Sequence, residues 1–231
     1  MLSLIIPCYN EEKNLPLLLE RCRIFEGSSE IEVILVDNGS TDASSAVLEK
    51  LLPSYLHCRS VRVDQNQGYG YGILFGLRAA KGNVLAWTHA DMQTDPQDVL
   101  RGYELYKAKS ESSYIKGRRF GRPFADVLFT VGMSLFETIL LRMALWDINA
   151  QPNIFSRDFF ESWENPPIDF SLDLYAYCMA RKAGLKIVRY PVNFGKRIHG
   201  TSHWNVDWNS KKRFIARTIL FSLELKKRFV K

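Results

Sequence analysis

Cysteine is scarce and scattered. Cys8, Cys22, Cys58 and Cys178 are the only four in 231 residues. They form no CxxC pair and no Cys/His group at zinc spacing, which argues against a disulfide scaffold and fits buried thiols in a reduced, cytoplasmic setting. A basic leader is also missing. The apolar start from Met1 to Ile6 is short and ends at Pro7, so no signal peptide is expected. There is no long uninterrupted hydrophobic run. The longest apolar stretch, Phe124 to Leu145, is broken by Asp126, Glu137 and Arg142, each costly at a bilayer centre, so a spanning helix is not expected. Internal repeats and low-complexity tracts are absent as well. Gly68-Tyr69-Gly70-Tyr71-Gly72 matches neither GxGxxG nor GxxxxGK[ST], which argues against a dinucleotide fingerprint or a P-loop. These glycines are expected to allow a tight loop and close helix–sheet packing.

What is present is a chain able to bury a core, with 46% hydrophobic and 13% aromatic residues, at the size of one α/β domain. A formal charge of +6 suits an anionic partner: a nucleotide phosphate, a lipid phosphate or an acidic membrane surface. No recognised nucleic-acid motif accompanies that charge, so nucleic acid is not an expected partner. The first half alternates β-rich runs with helical patterns, the mark of βαβ units. Strands are expected at Leu2 to Ile6, Glu32 to Asp37, Val61 to Val63 and Asn83 to Thr88. Helices are expected at Asn14 to Cys22, capped by Asn14, through to Leu52 after a turn at Asn38 to Asp42, and at Tyr71 to Ala80. The second half predicts helices over Pro96 to Lys107, Phe124 to Leu145, Phe170 to Ala183 and a basic tail, Lys211 to Lys231 carrying Phe214, Ile215 and Leu220. Strands are expected at Ser113 to Lys116, before Ser156, and at Lys186 to Val192. The domain plan is a single unit over 1–231, with a donor half (1–110), an acceptor half (111–206) and the tail helix (207–231).

Strand carboxyl ends line the crevice of an open α/β sheet, so Asp37 and Asp91 are expected to face one cleft from neighbouring strands. Tyr9 offers a face for a base, and Glu11 and Asp37 offer acceptors for ribose or base; a surface turn and a capping aspartate are the plain alternatives. His89, Asp91 and Gln93 alternate along what reads as extended chain, so they could offer an imidazole, a carboxylate and an amide oxygen to one divalent ion. The imidazole suits manganese better than magnesium. Two basic groups, Lys116, Arg118, Arg119 and Arg122, then Lys196, Arg197, His199 and His203, are phosphate candidates; solvated loop charge is the alternative.

Five segments in order, LIIPCYNE from Leu4, ILVDNGSTD from Ile34, NQGYG from Asn66, AKGN from Ala80 and ADMQTDP from Ala90, resemble family-2 glycosyltransferases of the GT-A fold. With Arg197-Ile198-His199-Gly200-Thr201-Ser202, they are most similar to the branch of dolichol-phosphate mannosyltransferases and related polyprenyl-phosphate sugar transferases. The resemblance implies a Rossmann-like nucleotide-binding sandwich with a mostly parallel sheet, inverting by single displacement. It places donor contacts at Pro7, Tyr9, Glu11 and Asp37, metal and diphosphate contacts at Asp91 and Gln93, and phosphate contacts at Arg119 and Arg197. Asp173 matches the family's acidic position after the acceptor loop, with Asp169 second. It would be a base for a hydroxyl acceptor and an orienting group for an acceptor phosphate, which is already ionised. His89 stands where the branch usually has an acid, so the Mg²⁺ or Mn²⁺ requirement is open. The expected partners are a nucleotide-diphospho-sugar and a lipid phosphate or a saccharide. The alternatives are extension of a polysaccharide by hydroxyl attack and a non-catalytic nucleotide-sugar scaffold. The Phe124 helix and the basic tail would rest on lipid, peripheral at the cytoplasmic membrane face, or pack on the core or on a second copy of the chain in a homo-oligomer.

Overall fold

The structure, a computed structural model, describes residues 1–109, 112–199 and 208–229. One sheet runs through it. Its 7 strands lie in the order β3-β2-β1-β4-β6-β5-β7: β1 (Leu2–Cys8), β2 (Ile31–Asn38), β3 (Cys58–Val63), β4 (Val84–Trp87), β5 (Ser113–Phe120), β6 (Asn153–Ser156) and β7 (Lys186–Asn193). β6 runs antiparallel to both β4 and β5, and the other pairings are parallel. The mostly parallel α/β sheet expected from the sequence is therefore present.

The unbroken apolar character of β1 and β2 follows from helices on both faces. Leu2, Leu4 and Ile6 of β1 and Val33 and Leu35 of β2 join Leu15, Leu19, Leu48, Val99 and Tyr103 on one side. Those helices are α1 (Leu15–Cys22), α2 (Ser44–Leu51) and α4 (Gln97–Lys109). The intervening Ile5, Ile34 and Val36 face the other side, meeting Ile73, Leu77, Leu174 and Leu225. They come from α3 (Tyr69–Ala79), α7 (Leu172–Lys182) and α8 (Trp208–Phe229). Each such fully buried aliphatic side chain stabilises the fold by about 1.5–3 kcal/mol. Glycine sets the spacing of α3 against the sheet: a Cβ on Gly76 would lie 2.5 Å from Ile5 Cγ2 and 2.7 Å from Val36 Cγ2. The close packing expected of the glycine-rich segment is thus real, and all four cysteines are buried and free.

The structure departs from the sequence reading at several elements. β3 starts three residues early, at Cys58, where it pairs with Val33. A short helix, α6 (Arg157–Glu161), was not expected. The long apolar helix α5 ends at Leu141, because Arg142 turns left-handed (φ 53°), not at Leu145. By length and composition α5 (Phe124–Leu141) is apolar enough to cross a membrane, its charged residues notwithstanding. Little of it is buried: Phe124, Leu128, Leu135 and Ile139 are 81%, 60%, 58% and 69% exposed. The expected tail helix begins earlier, at Trp208; the side chain of Phe214 and Lys231 lie outside the described residues.

α5 meets α8 through a buried carboxyl. Glu137 is fully buried and its Oε1 accepts from Ser222 Oγ at 2.6 Å, while Oε2 has no hydrogen-bond partner among the described residues. Burial pushes its pKa up to about 7, against a smaller lowering by Ser222. A carboxyl raised on folding binds more protons folded than unfolded, so stability falls as pH rises from about 4.5 through the folded value and stays lowered above it. Glu137→Gln is therefore expected to melt higher than the native chain at pH 8, by roughly 1–3 kcal/mol of stability, with the gap closing at pH 4. Thermal melts at both pH values check it, and a pH-independent gap would contradict the buried-carboxyl account.

Candidate active site

Three loops leave the carboxyl edge of the sheet side by side, after β1, after β2 and after β4. β1 lies between the other two, so Asp37 and Asp91 flank a central strand and do not come from neighbouring strands. The first two loops are zipped together. Asn10, itself left-handed (φ 56°), accepts the Thr41 amide at Oδ1 (2.8 Å), while its own N–H donates to Ser40 Oγ (3.1 Å). The Glu11 amide donates to Ser44 Oγ at 2.9 Å. Asp37 is 1% exposed; it accepts from the Ser40 amide (2.9 Å) and from Ser45 Oγ, with Arg62 at 3.6 Å. Pro7 lies in β1 opposite Val36, and Tyr9 is 38% exposed at the edge.

The loop after β4 is not extended. Met92 is left-handed (φ 61°), and Asp91 Oδ1 accepts the Gln93 amide at 3.2 Å, so a turn, not strand alternation, brings these two side chains together. Both aim at Arg197, which arrives from the segment after β7. Arg197 Nη2 lies 2.8 Å from Asp91 Oδ2, and its Nε donates to Gln93 Oε1 at 3.2 Å. Gln93 Nε2 donates to the Gly195 carbonyl at 3.1 Å, which ties that segment to the loop. Asn14 takes the N-cap position of α1, but its side chain makes no capping hydrogen bond. Its amide donates to Glu11 Oε2 (2.5 Å) and to the His199 carbonyl (3.4 Å). Burial raises the Glu11 pKa, Asn14 and Arg197 oppose that, and Asp91 adds to it. Glu11, Asp91, Gln93 and Arg197 therefore form one cluster from three distant parts of the chain. Gly200, Thr201, Ser202 and His203 lie outside the described residues.

His89 goes elsewhere: its ring stacks on Tyr69 at 5.5 Å. Among the described residues no three His, Cys, Asp or Glu side chains gather in a metal-binding group. The chemistry of Asp91 and Gln93 still fits a hard cation. A carboxylate and an amide oxygen converge on one positive group, the guanidinium of Arg197, and both are the oxygen donors that Mg²⁺ and Mn²⁺ take.

A second cluster lies behind Tyr69. Phe170 stacks on the other side of that ring at 4.7 Å. Asp173, 2% exposed at the start of α7, accepts at Oδ1 from Gln151 Nε2 (2.7 Å) and Asn153 Nδ2 (3.2 Å); burial, with the Asp173 charge adding to it, raises the pKa of the Tyr69 phenol. Lys116 belongs here and not with the basic surface group. It is fully buried, and its Nζ donates to the Ala150 carbonyl and to Asn153 Oδ1, both at 2.7 Å. Burial drags its pKa down to about 7, against the attraction of Asp173. Two arginines of that group, Arg119 and Arg122, gather on Asp147, while Arg118 is exposed. Arg119 grips it through Nε (2.9 Å) and Nη2 (2.5 Å), with Arg122 at 3.8 Å and Arg189 at 3.7 Å. Burial pushes Asp147 up, but Arg119 and Arg122 outweigh it and hold the carboxyl below its ordinary value. Arg122 Nε and Arg189 Nε and Nη2 are buried with no hydrogen-bond acceptor among the described residues. Asp147, Arg189, Gln151, Asn153 and Tyr69 were not singled out from the sequence as site residues. The one local signal was the apposition of polar Asn149, Gln151 and Asn153 with a strand.

Comparison with known proteins matches this architecture. The structure is GT-A-like: it superposes on glucosyl-3-phosphoglycerate synthase from Mycobacterium tuberculosis, solved with Mn²⁺ and uridine diphosphate, at TM-score 0.73 and 19% identity over 97% of this chain and 80% of that one. Polyprenol monophosphomannose synthase of Mycolicibacterium smegmatis is 27% identical over 86% of this chain and 78% of its own. An undecaprenyl-phosphate 4-deoxy-4-formamido-L-arabinose transferase of Photorhabdus laumondii is 34% identical over 51% of this chain; the chain spans about a third of that relative, 36% of its length. The family model for glycosyl transferase family 2 matches residues 3–142, covering all three edge loops and the cluster of Glu11, Asp91 and Gln93, and the chain belongs to that family.

Proposed function

We propose that this protein transfers a sugar, a hexose on the present reading, from a nucleotide-diphospho-sugar to a polyprenyl phosphate, with inversion. The observation that carries the acceptor is the arginine nest on Asp147. Three guanidinium groups share one carboxylate, and buried N–H donors of two of them lack an acceptor among the described residues. Such donors are costly unless an anion takes them, and a phosphate does so with the geometry that arginine forks prefer. Arg122 also donates to Thr130 Oγ1 of α5 at 2.9 Å, so the nest adjoins the exposed apolar helix. A lipid phosphate has both parts: an anionic head for the nest and a hydrocarbon tail for α5. The mannose synthase of M. smegmatis, which is similar along most of this chain, acts on a polyprenol, as its name states.

On this reading the donor lies along the carboxyl edge. Tyr9 stacks the base, and Glu11 and Asp37 accept from base or ribose. Asp91 and Gln93 would hold the Mg²⁺ or Mn²⁺ ion, with Arg197 released toward the phosphates. The bound ion supplies charge neutralisation for the leaving diphosphate. Arg119, with Arg122 and Arg189, fixes the acceptor phosphate. That phosphate is ionised and needs no base, so Asp173 serves to orient the substrate. The long apolar face of α5, together with Lys226, Lys227 and Arg228 near the end of α8, supports peripheral association with the cytoplasmic face of an anionic membrane.

Two experiments test this reading. Melting temperature measured with UDP, GDP, CDP or dTDP, each with Mg²⁺, Mn²⁺ or EDTA, is expected to rise for one nucleotide with metal. Asp91→Asn is expected to remove the metal-dependent part. No shift with any nucleotide, in folded protein, would instead favour a scaffold role. For the membrane contact, Leu135→Glu/Ile139→Glu is expected to lower binding to phosphatidylglycerol vesicles about tenfold or more, at roughly 1.4 kcal/mol per tenfold, and to leave nucleotide binding intact. Unchanged vesicle sedimentation would refute the role of α5.

A further inference from the structure

Lys116 is a buried cation that donor and acceptor binding leave unused. Its ammonium donates and never accepts, so the amide it touches must present oxygen: Asn153 Oδ1 accepts from Lys116 Nζ at 2.7 Å and from the Tyr114 hydroxyl at 3.0 Å. The Asn153 NH₂ must then point the other way. It donates to Gln151 Oε1 at 2.7 Å and to Asp173 Oδ1 at 3.2 Å. Gln151, with its oxygen occupied, turns its own NH₂ toward Asp173 Oδ1 (2.7 Å) and the Tyr69 phenol (3.2 Å). Every hydrogen bond in the chain thus runs in one direction, from the ammonium to the carboxylate.

We infer that Lys116 is a positioning residue which, through Asn153 and Gln151, fixes the polarity of this network and so holds Asp173 as an ionised acceptor in one orientation. The network can keep that polarity because it is closed: Lys116, Asn153, Gln151 and Asp173 are each 2% exposed or less. Flipping the Asn153 amide would set an NH₂ against an ammonium and an oxygen against a carboxylate. In a medium of low dielectric both contacts are strongly unfavourable. Without the ammonium, one of the two charges that fix the Asn153 amide is gone, and Asp173 holds its donors less firmly. The inference rests on the reading that Asp173 serves glycosyl transfer.

The test is a double-mutant cycle on the full chain. Turnover is measured with UDP-glucose and GDP-mannose as donors and undecaprenyl phosphate in phosphatidylglycerol vesicles as acceptor. Lys116→Met keeps the volume but removes the donor. Asn153→Asp keeps the oxygen for Lys116 but replaces the NH₂ that faces Asp173. Both are expected to lower kcat roughly 10–100-fold, with donor KM within about twofold and donor-dependent melting shifts retained. Combining Lys116→Met with Asp173→Asn is expected to give no more than about a twofold further loss beyond Asp173→Asn alone, because residues acting as one unit are not additive. Losses that multiply, or a Lys116→Met enzyme with native kcat, would overturn the inference while Asp173 keeps its role. Native turnover in Asp173→Asn would overturn the reading of Asp173 itself, and the coupling with it. Should Lys116→Met fail to fold, Asn153→Asp decides, since it preserves the partner of the buried cation.

Discussion

The central position of β1 governs everything else in this molecule. β1 is held between β2 and β4, parallel to both, and Leu2, Leu4, Ile5, Ile6 and Cys8 are wholly buried. Those side chains, at about 1.5–3 kcal/mol for each large one, leave the strand no freedom to slip, since a one-residue shift would exchange its two apolar faces. Its carboxyl end therefore has to emerge between the ends of two other strands. The polar links among the loops, each worth about 0.5–1.5 kcal/mol, then adjust an arrangement that the core has already imposed. Asn10 and the hydroxyls of Ser40 and Ser44 are such adjustments.

The two polar clusters differ in how far water reaches them, and this difference suits them to different tasks. The Asp91–Arg197 pair has side chains 8% and 30% exposed. Near the surface the mutual attraction of such a pair is moderate and partners can be exchanged, which a site that must admit and release an anionic donor requires. The network on Asp173 is buried, with aromatic groups packed beside it: Tyr114 stacks on Phe155 at 5.6 Å and on Tyr177 at 6.3 Å. There the desolvation of a free charge is too costly for exchange, and the buried groups are tied to one another by hydrogen bonds. Tyr69 joins the two regions, with its ring against His89 and its phenol accepting from Gln151 Nε2.

The sequence carried the parallel sheet clearly because periodicity and turn residues are local signals. Leu2 to Ile6 and Glu32 to Asp37 show them without interruption, and the strands follow. That Asp37 and Asp91 lie at one edge of the sheet was also legible, because strand ends in such sheets share an edge, although β1 stands between their strands. Three features were not. The left-handed Met92, which turns Asp91 and Gln93 together, is a residue type with no special preference for that conformation, so nothing local announces it. Asn14 reads as a helix cap; it takes that position, and only the fold reveals that its side chain makes no cap bond and instead donates through Nδ2 to Glu11 and the His199 carbonyl. Lys116 reads as one of four basic residues around a strand end. Its separation from Arg119 and Arg122 depends on Asp173 and Asn153, which lie on other elements, and charge counting along the chain cannot see them.

The same limit applies to α5, where hydropathy alone fits a core helix, a spanning helix or a surface one equally well. Burial removes the first, since Phe124, Leu128, Leu135 and Ile139 face outward. Glu137 bears on the second. It is buried against Ser222 of α8, so α5 is docked on the folded domain along one side and presents only the opposite side to its surroundings. On the proposed reading, a helix fixed in this way, with arginines gathered next to its first turns, is an interfacial element whose depth is limited by the domain attached to it. On the proposed reading this explains why anion nest and apolar face occur together. A lipid phosphate cannot leave the headgroup layer without exposing its tail, so an enzyme that accepts it must bring its phosphate donors to that layer.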